Sequence, residues 1–310
     1  MDMKKTGFVL LAMAALLPWV SPPMALTAGM AFALCFGNPF ASITKKYTPK
    51  LMAYAIVCLG ASMNITQVLK AGASGFVYTC IGIVGTLCIG HVLSKRLGCH
   101  PHTGLLVSSG TAICGGSAIA AVSSALQAKD SAVSIALATV FFLNACALFV
   151  FPWAGHALHL TPTQFGLWSA LAIHDTSSVV GACLAFHPDA LNIGTTLKLA
   201  RALWIIPLAL GVGYMHRTQG VRIKKPWFIL GFLSMALVFT YIPFLKPAAH
   251  LVTLCGKRML VLTLLGVGSG LTHQTLRDVG FKPLVLGVLL WLCVASTTLW
   301  AIVQGWITLA

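Results

Sequence analysis

The sequence predicts an all-α polytopic membrane protein, with about ten or eleven transmembrane helices, inverted repeats and two interrupted helices. Three observations predict it. Hydrophobic residues make up 58% and charged residues 8% of the 310 residues, where a soluble domain carries roughly a quarter charged. Mean hydropathy is +0.92, too apolar for a disordered chain. Apolar stretches about 20 residues long, the thickness of a bilayer, follow one another through short basic connectors. One transmembrane domain therefore takes up residues 1–310, with no room for a soluble catalytic or nucleic-acid-binding domain.

The elements follow in order. Lys4 and Lys5 precede an apolar stretch over 6–20 that has the look of a signal peptide. No small-x-small cleavage site precedes the next span, so we read a retained first helix, short enough to be a half-span. The stretches 24–40, 51–67, 73–93, 103–127, 131–154, 163–186, 190–215, 227–244, 251–272 and 281–305 complete eleven. Lys and Arg total 20 against five Asp and no Glu. One set of alternating connectors carries Lys4, Lys5, Lys45, Lys46, Lys50, Lys95, Arg96, Arg217, Arg222, Lys224, Lys225, Arg277 and Lys282. The other carries Lys70, Lys129, Lys246, Lys257 and Arg258. Cytoplasmic connectors retain Lys and Arg, so the N-terminus is expected in the cytoplasm and the C-terminus outside. The longest connector, 215–226, is basic and cytoplasmic. Lys198 and Arg201 belong to no connector.

A weak internal echo joins 59–72 to 267–280, each ending a span and leading through a basic connector into the next. The span count gives the copies opposite orientation, as in inverted-repeat carriers. The glycines of 266–270 read more safely as close helix packing. Ten scattered cysteines form no CxxC pair and read as small buried hydrophobes rather than a disulfide framework.

Three constellations can carry chemistry. In 108–117, three glycines and four hydroxyls interrupt an apolar helix. Such breaks persist in lipid where they line a cavity or bind a solute, and the second half-helix aims its N-terminal dipole at the break. Cys114, Gly115, Gly116 and Ser117 are the candidate contacts; a phosphate loop is rejected, since Gly116 stands where its Lys belongs. The bland reading is a glycine-rich packing face. In 174–178, Asp175 is an acid well inside an apolar span, which marks a solute or proton path by default. His174 beside it titrates near neutral pH when free, and Thr176 and Ser177 add hydroxyls; the bland reading is a polar loop between two short elements. Lys198 and Arg201 share one helical face at i, i+3, and Pro207 is placed to kink the same helix. Asp175 can neutralise only one cation, so an anion is the natural guest; the bland reading has both cations snorkelling to an interface. Cys99-His100-Pro101-His102 has metal-type residues but no second Cys pair. Consecutive His174, Asp175 and Ser177 cannot form a catalytic triad. No catalytic residue, metal or cofactor is expected.

Gly110-Thr111-Ala112-Ile113-Cys114-Gly115-Gly116-Ser117-Ala118, His174-Asp175-Thr176-Ser177-Ser178-Val179-Val180-Gly181-Ala182 and Lys198-Leu199-Ala200-Arg201 resemble the signature segments of the YeiH (UPF0324) family of bacterial sulfate-exporter-like membrane proteins. Leu271-Thr272-His273 and Gly280-Phe281-Lys282-Pro283-Leu284 extend the resemblance over nearly the whole chain. Many members carry a Glu after the His and a Gln further on, where this chain has Asp175 and Ser178. The resemblance implies the inverted-repeat fold of the bile-acid, arsenite and riboflavin carriers, with a rigid panel and a core of crossed, broken helices.

The expectation is a secondary transporter of the bacterial inner membrane that exports sulfate or a related small anion. Lys198 and Arg201 hold the anion in this reading, with N–H groups of Cys114–Ser117. His174 and Asp175 pair with the cations or carry a coupling proton. The expected partners are a small inorganic or organic anion, H+ or Na+, the lipid bilayer and a second copy of the chain, with no nucleic acid. The alternatives are a proton- or sodium-coupled carrier of an organic acid, whose polar groups Asp175, Thr176, Ser177 and Asn144 coordinate a cation, and a non-transporting membrane subunit.

Overall fold

A chain in hydrocarbon must satisfy its backbone internally, and a helix does so within one segment. The computed structural model describes residues 3–215, 227–270 and 280–308, and among them it is helical without a strand. The helices are α1 (Met3–Ala14), α2 (Pro22–Phe36), α3 (Ala41–Leu59), α4 (Ile65–Arg96), α5 (Pro101–Ala112), α6 (Gly116–Leu126), α7 (Asp130–Ala157), α8 (Pro162–Ala172), α9 (Thr176–Phe186), α10 (Pro188–Ala202), α11 (Ile205–Met215), α12 (Trp227–Tyr241), α13 (Lys246–Ser269) and α14 (Phe281–Val303). Five stretches are long and apolar enough to cross a bilayer: Phe76–Arg96, Ser131–Ala157, Pro188–Met215, Lys246–Ser269 and Phe281–Val303. Large apolar side chains such as Phe76, Ile81, Leu210 and Leu292 are exposed along them, as lipid-facing surfaces require.

The two interrupted spans are present. The stretch 103–127 is α5 and α6, and 163–186 is α8 and α9. A third interruption divides 190–215, where Leu203 and Trp204 donate to Ala200 and Arg201 in a tight turn. Pro207 then lies in the first turn of α11, where its missing N–H costs nothing.

Several boundaries differ from the sequence reading. The first helix stops at Ala14, and a turn occupies the remainder to residue 20, because Pro18 has no N–H and restricts its predecessor. Lys45, Lys46 and Lys50 lie on α3 rather than in a connector. The break expected near residue 70 falls at 60–64, with a 3-10 turn at Gly60–Ser62. There Asn64 Oδ1 accepts from Thr66 N at 2.9 Å and starts α4. Lys257 and Arg258 lie within α13. The basic connector at 216–226, Arg277, the second copy of the echo beyond Gly270 and Leu271-Thr272-His273 lie outside the described residues.

The chain divides into two compact units, Met1–Lys70 with Pro226–Thr275 and Ala71–Lys225 with Leu276–Ala310. In the first, α13 packs against α2 and α3. Gly29 faces the backbone of α13 and Gly268 that of α2: a Cβ at Gly29 would collide with Leu265 O and lie 3.1 Å from Ser269 N, and one at Gly268 would collide with Leu26 O. The packing reading of Gly268 is therefore right, and the helices meet at backbone distance. Arg258 fastens the turn after α1, donating to Leu17 O and Pro18 O, each at 2.7 Å, and to Val20 O at 3.3 Å.

Among the described residues, the breaks between α5 and α6, α8 and α9, and α10 and α11 lie in the second unit. Leu106, Val107, Ile119, Val122, Val140, Leu286 and Leu290 form its core. Glycine again sets the close approaches. A Cβ at Gly166 of α8 would lie 2.9 Å from Ala190 O on α10, and one at Gly194 only 2.6 Å from Cys183 Sγ and 3.4 Å from Gly166 O. A Cβ at Gly287 of α14 would lie 2.8 Å from Thr139 Cγ2 on α7.

Candidate polar site at the helix breaks

The closeness of α8 and α10 builds the site. Gly194, Lys198 and Arg201 recur at i, i+4 and i+7, the spacing of one helical face. Where the glycine touches α8, the two cations one and two turns further on reach the end of α8. Lys198 Nζ donates to Ile173 O at 2.6 Å and to Ala170 O at 3.3 Å. Arg201 Nε donates to Ala112 O, the last residue of α5, at 2.7 Å. Its Nη1 donates to Leu171 O and, at 3.5 Å, to Ala170 O. A helix end leaves four carbonyls without intrahelical partners and carries partial negative charge. Lys198 and Arg201 answer both needs for two half-helices at once. They are 0% and 2% exposed, so the snorkelling reading is excluded.

The other halves begin at the same place. Gly115, at φ +62°, precedes α6 without a side-chain cap. A Cβ there would lie 3.3 Å from Asp175 Cβ, so the two breaks touch. Asp175 caps α9, accepting from Ser177 N at 3.1 Å and from the Ser177 hydroxyl. Its own N–H donates to Asn144 Oδ1 at 3.0 Å. The 174–178 segment is thus an interruption at a helix start, which joins the functional reading to the bland one.

Most of the expected residues come together. Lys198, Arg201, Cys114, Gly115, His174, Thr176 and Ser177 are buried, and Asp175 is half-buried. Gly116 and Ser117 do not join them. Gly116 faces Phe141, 3.3 Å from where its Cβ would stand, and Ser117 is exposed. The expected pairing of His174 and Asp175 with the cations is also not seen. The ion pair found among the described residues is His187–Asp189 at 3.6 Å. The cations turn to carbonyls instead, because neutral dipoles at two helix ends are nearer than the Asp175 carboxylate, which its own helix start holds. The Cys99–His102 segment is a helix start as well: His100 Nδ1 accepts from His102 N at 3.3 Å, and the described residues contain no cluster of three metal-ligating side chains.

Two participants were missed or underused. Asn144 is 2% exposed, and a lone amide inside the apolar stretch 131–154 was the available signal. Trp291 lies on α14 with its ring centroid 6.4 Å from that of His174. Its place in the middle of the stretch 281–305, away from the ends where interfacial tryptophans lie, was the available signal.

Fold and site together define a multi-pass membrane protein with a buried, doubly cationic polar centre at paired helix breaks. The comparisons agree that it is a membrane protein. The family model for conserved hypothetical protein 698 matches residues 10–287. A UPF0324 membrane protein of Bdellovibrio bacteriovorus is 50% identical over 98% of this chain and 95% of its own length. Another from Bacteroides thetaiotaomicron is 46% identical over 91% and 86%, and one from Geobacter sulfurreducens is 42% identical over 98% of each. The chain belongs to the UPF0324 family of membrane proteins. No solved structure matches it.

Proposed function

We propose that the chain is a secondary transporter that moves sulfate or a related small sulfur-containing anion out of the cell by alternating access. The observation that carries this reading is the pair Lys198 and Arg201, fully buried at two helix breaks and without a carboxylate in ion-pair range among the described residues. A buried charge without a counter-charge is costly. Carbonyl dipoles offset part of that cost, and an anion at the breaks offsets the rest. Intramembrane charges of this kind mark solute paths, and interrupted helices at membrane depth are where carriers hold their solutes. Asp175 and His174, beside the cations, are the groups to carry a coupling proton. The chain has no nucleotide-binding motif, so an ion gradient, the membrane potential or the solute gradient drives the flux. The membrane is the bacterial inner membrane, with the N-terminus on the cytoplasmic side.

Radiolabelled sulfate flux into proteoliposomes tests the reading, with and without a pH gradient. Wild type should carry sulfate, and the double variant Lys198→Ala/Arg201→Ala should lose at least nine-tenths of the flux, roughly the loss of one charged hydrogen bond. No wild-type flux of sulfate, thiosulfate or sulfite under either gradient would sink the proposal.

A further inference from the structure

Lys198 and Arg201 already donate to the carbonyls of Ala112, Ala170, Leu171 and Ile173. Three neutral side chains around the breaks are in the opposite condition. Asn144 Nδ2, both ring nitrogens of His174 and Trp291 Nε1 have no hydrogen-bond partner in the protein. These residues are 2%, 0% and 8% exposed. Buried polar groups are almost always paired, so three such groups from three elements at one place need a common explanation.

The geometry fixes how they stand. Asp175 N–H can donate only to an oxygen, so its 3.0 Å contact identifies Oδ1 of Asn144 and leaves Nδ2 as the free end beside the α8–α9 break. Gly287 lies one turn before Trp291 on the same face of α14, and its contacts with Thr139 and Leu143 bring α14 against α7. Phe151 of α7 stacks on the Trp291 ring at 5.8 Å, and His174 lies on the break itself. Asn144 therefore comes from α7, His174 from the break and Trp291 from α14.

The chemistry selects the guest. An amide nitrogen and an indole nitrogen donate and do not accept, and a neutral imidazole offers one donor and one acceptor. Two of the three groups thus offer a bare cation nothing. An oxyanion, all acceptors, satisfies the amide, the indole and the N–H of the imidazole, and leaves the second ring nitrogen to take up a proton. We propose that Asn144, His174 and Trp291 are the groups in direct contact with the carried oxyanion, while Lys198 and Arg201 stand behind them as helix-end caps that supply the charge. This assignment rests on the carrier reading of the same site.

The test uses the full-length protein in nanodiscs and in proteoliposomes, with radiolabelled sulfate as probe. Trp291→Phe keeps the ring and its stacking on Phe151 but removes the donor. Asn144→Asp keeps the oxygen that receives Asp175 N–H and replaces the free donor with an acceptor. Trp204→Phe, whose ring packs on Phe76, is the control. Trp291→Phe and Asn144→Asp should each raise the sulfate concentration for half-saturation about tenfold or more, the effect of one hydrogen bond to a charged ligand. Trp204→Phe should leave it unchanged. Wild-type half-saturation in Trp291→Phe and Asn144→Asp would overturn the donor assignment and leave the carrier reading standing. No binding or flux by any of the four proteins would overturn the carrier reading, and the assignment with it. If Asn144→Asp does not fold, Trp291→Phe decides alone.

Discussion

Arg201 serves two half-helices from one guanidinium, with Nε on Ala112 O and Nη1 on the last turn of α8. The planar fork of arginine can donate in two directions at once, and an ammonium cannot match it. Replacing Arg201 by Met leaves the Ala112 and Leu171 carbonyls without that donor, at about 1–3 kcal/mol each. The apparent melting temperature of purified Arg201→Met should therefore fall well below wild type, with Arg201→Lys in between; equal melting of all three would contradict the capping role. At this scale the sequence was legible in part. The i, i+3 pair and its common face could be read directly. Its partners could not, because the carbonyls of Ala112 and Leu171 reach Arg201 only through the packing of α5 and α8 against α10, and a carbonyl has no side-chain letter. Ser117 misled for the reverse reason: a hydroxyl near a break reads as a ligand, but the turn of α6 carries it to the exposed side.

Glycine sets how near the helices come, and its effect depends on what faces it. Gly268 lies against the Leu26 backbone, whereas Gly85 of α4 has nothing within 4 Å of an added Cβ. Gly268→Ala should destabilise by about 1–3 kcal/mol through overpacking. Gly85→Ala should be neutral or stabilising by up to about 1 kcal/mol, through helix propensity alone. Thermal unfolding in detergent checks both, and equal effects would refute the packing assignment. The two interruptions were legible because Gly115 and the His174–Asp175 pair are poor choices for a helix interior. The limits of α3, α4 and α13 were not. Lys45, Lys50, Lys257 and Arg258 look like connector residues, yet a helix carries them when the head can reach water or, for Arg258, the carbonyls of Leu17, Pro18 and Val20.

The whole molecule is an apolar chain with few charges. Lys95 and Lys129 are both exposed and flank the broken span formed by α5 and α6. In the proposed orientation they face opposite sides of the membrane. In a cysteine-free background, a membrane-impermeant maleimide should label Lys129→Cys in intact spheroplasts and Lys95→Cys only in inverted vesicles. The reverse pattern would invert the topology, and labelling of both from one side would show that the span does not cross. The membrane class was legible from composition alone. The division into two units was not, since each joins segments that lie apart in sequence: residues 71–225 separate the two segments of the first, and residues 226–275 those of the second.

One helix face, Gly194–Lys198–Arg201, holds the ends of α5 and α8 together. In mechanical terms α10 is a single latch with two bolts. Turning it by one residue would swing both cations about 100° away from their carbonyls, releasing both half-helices in the same movement. A rotation of this kind would therefore undo both fastenings as one event.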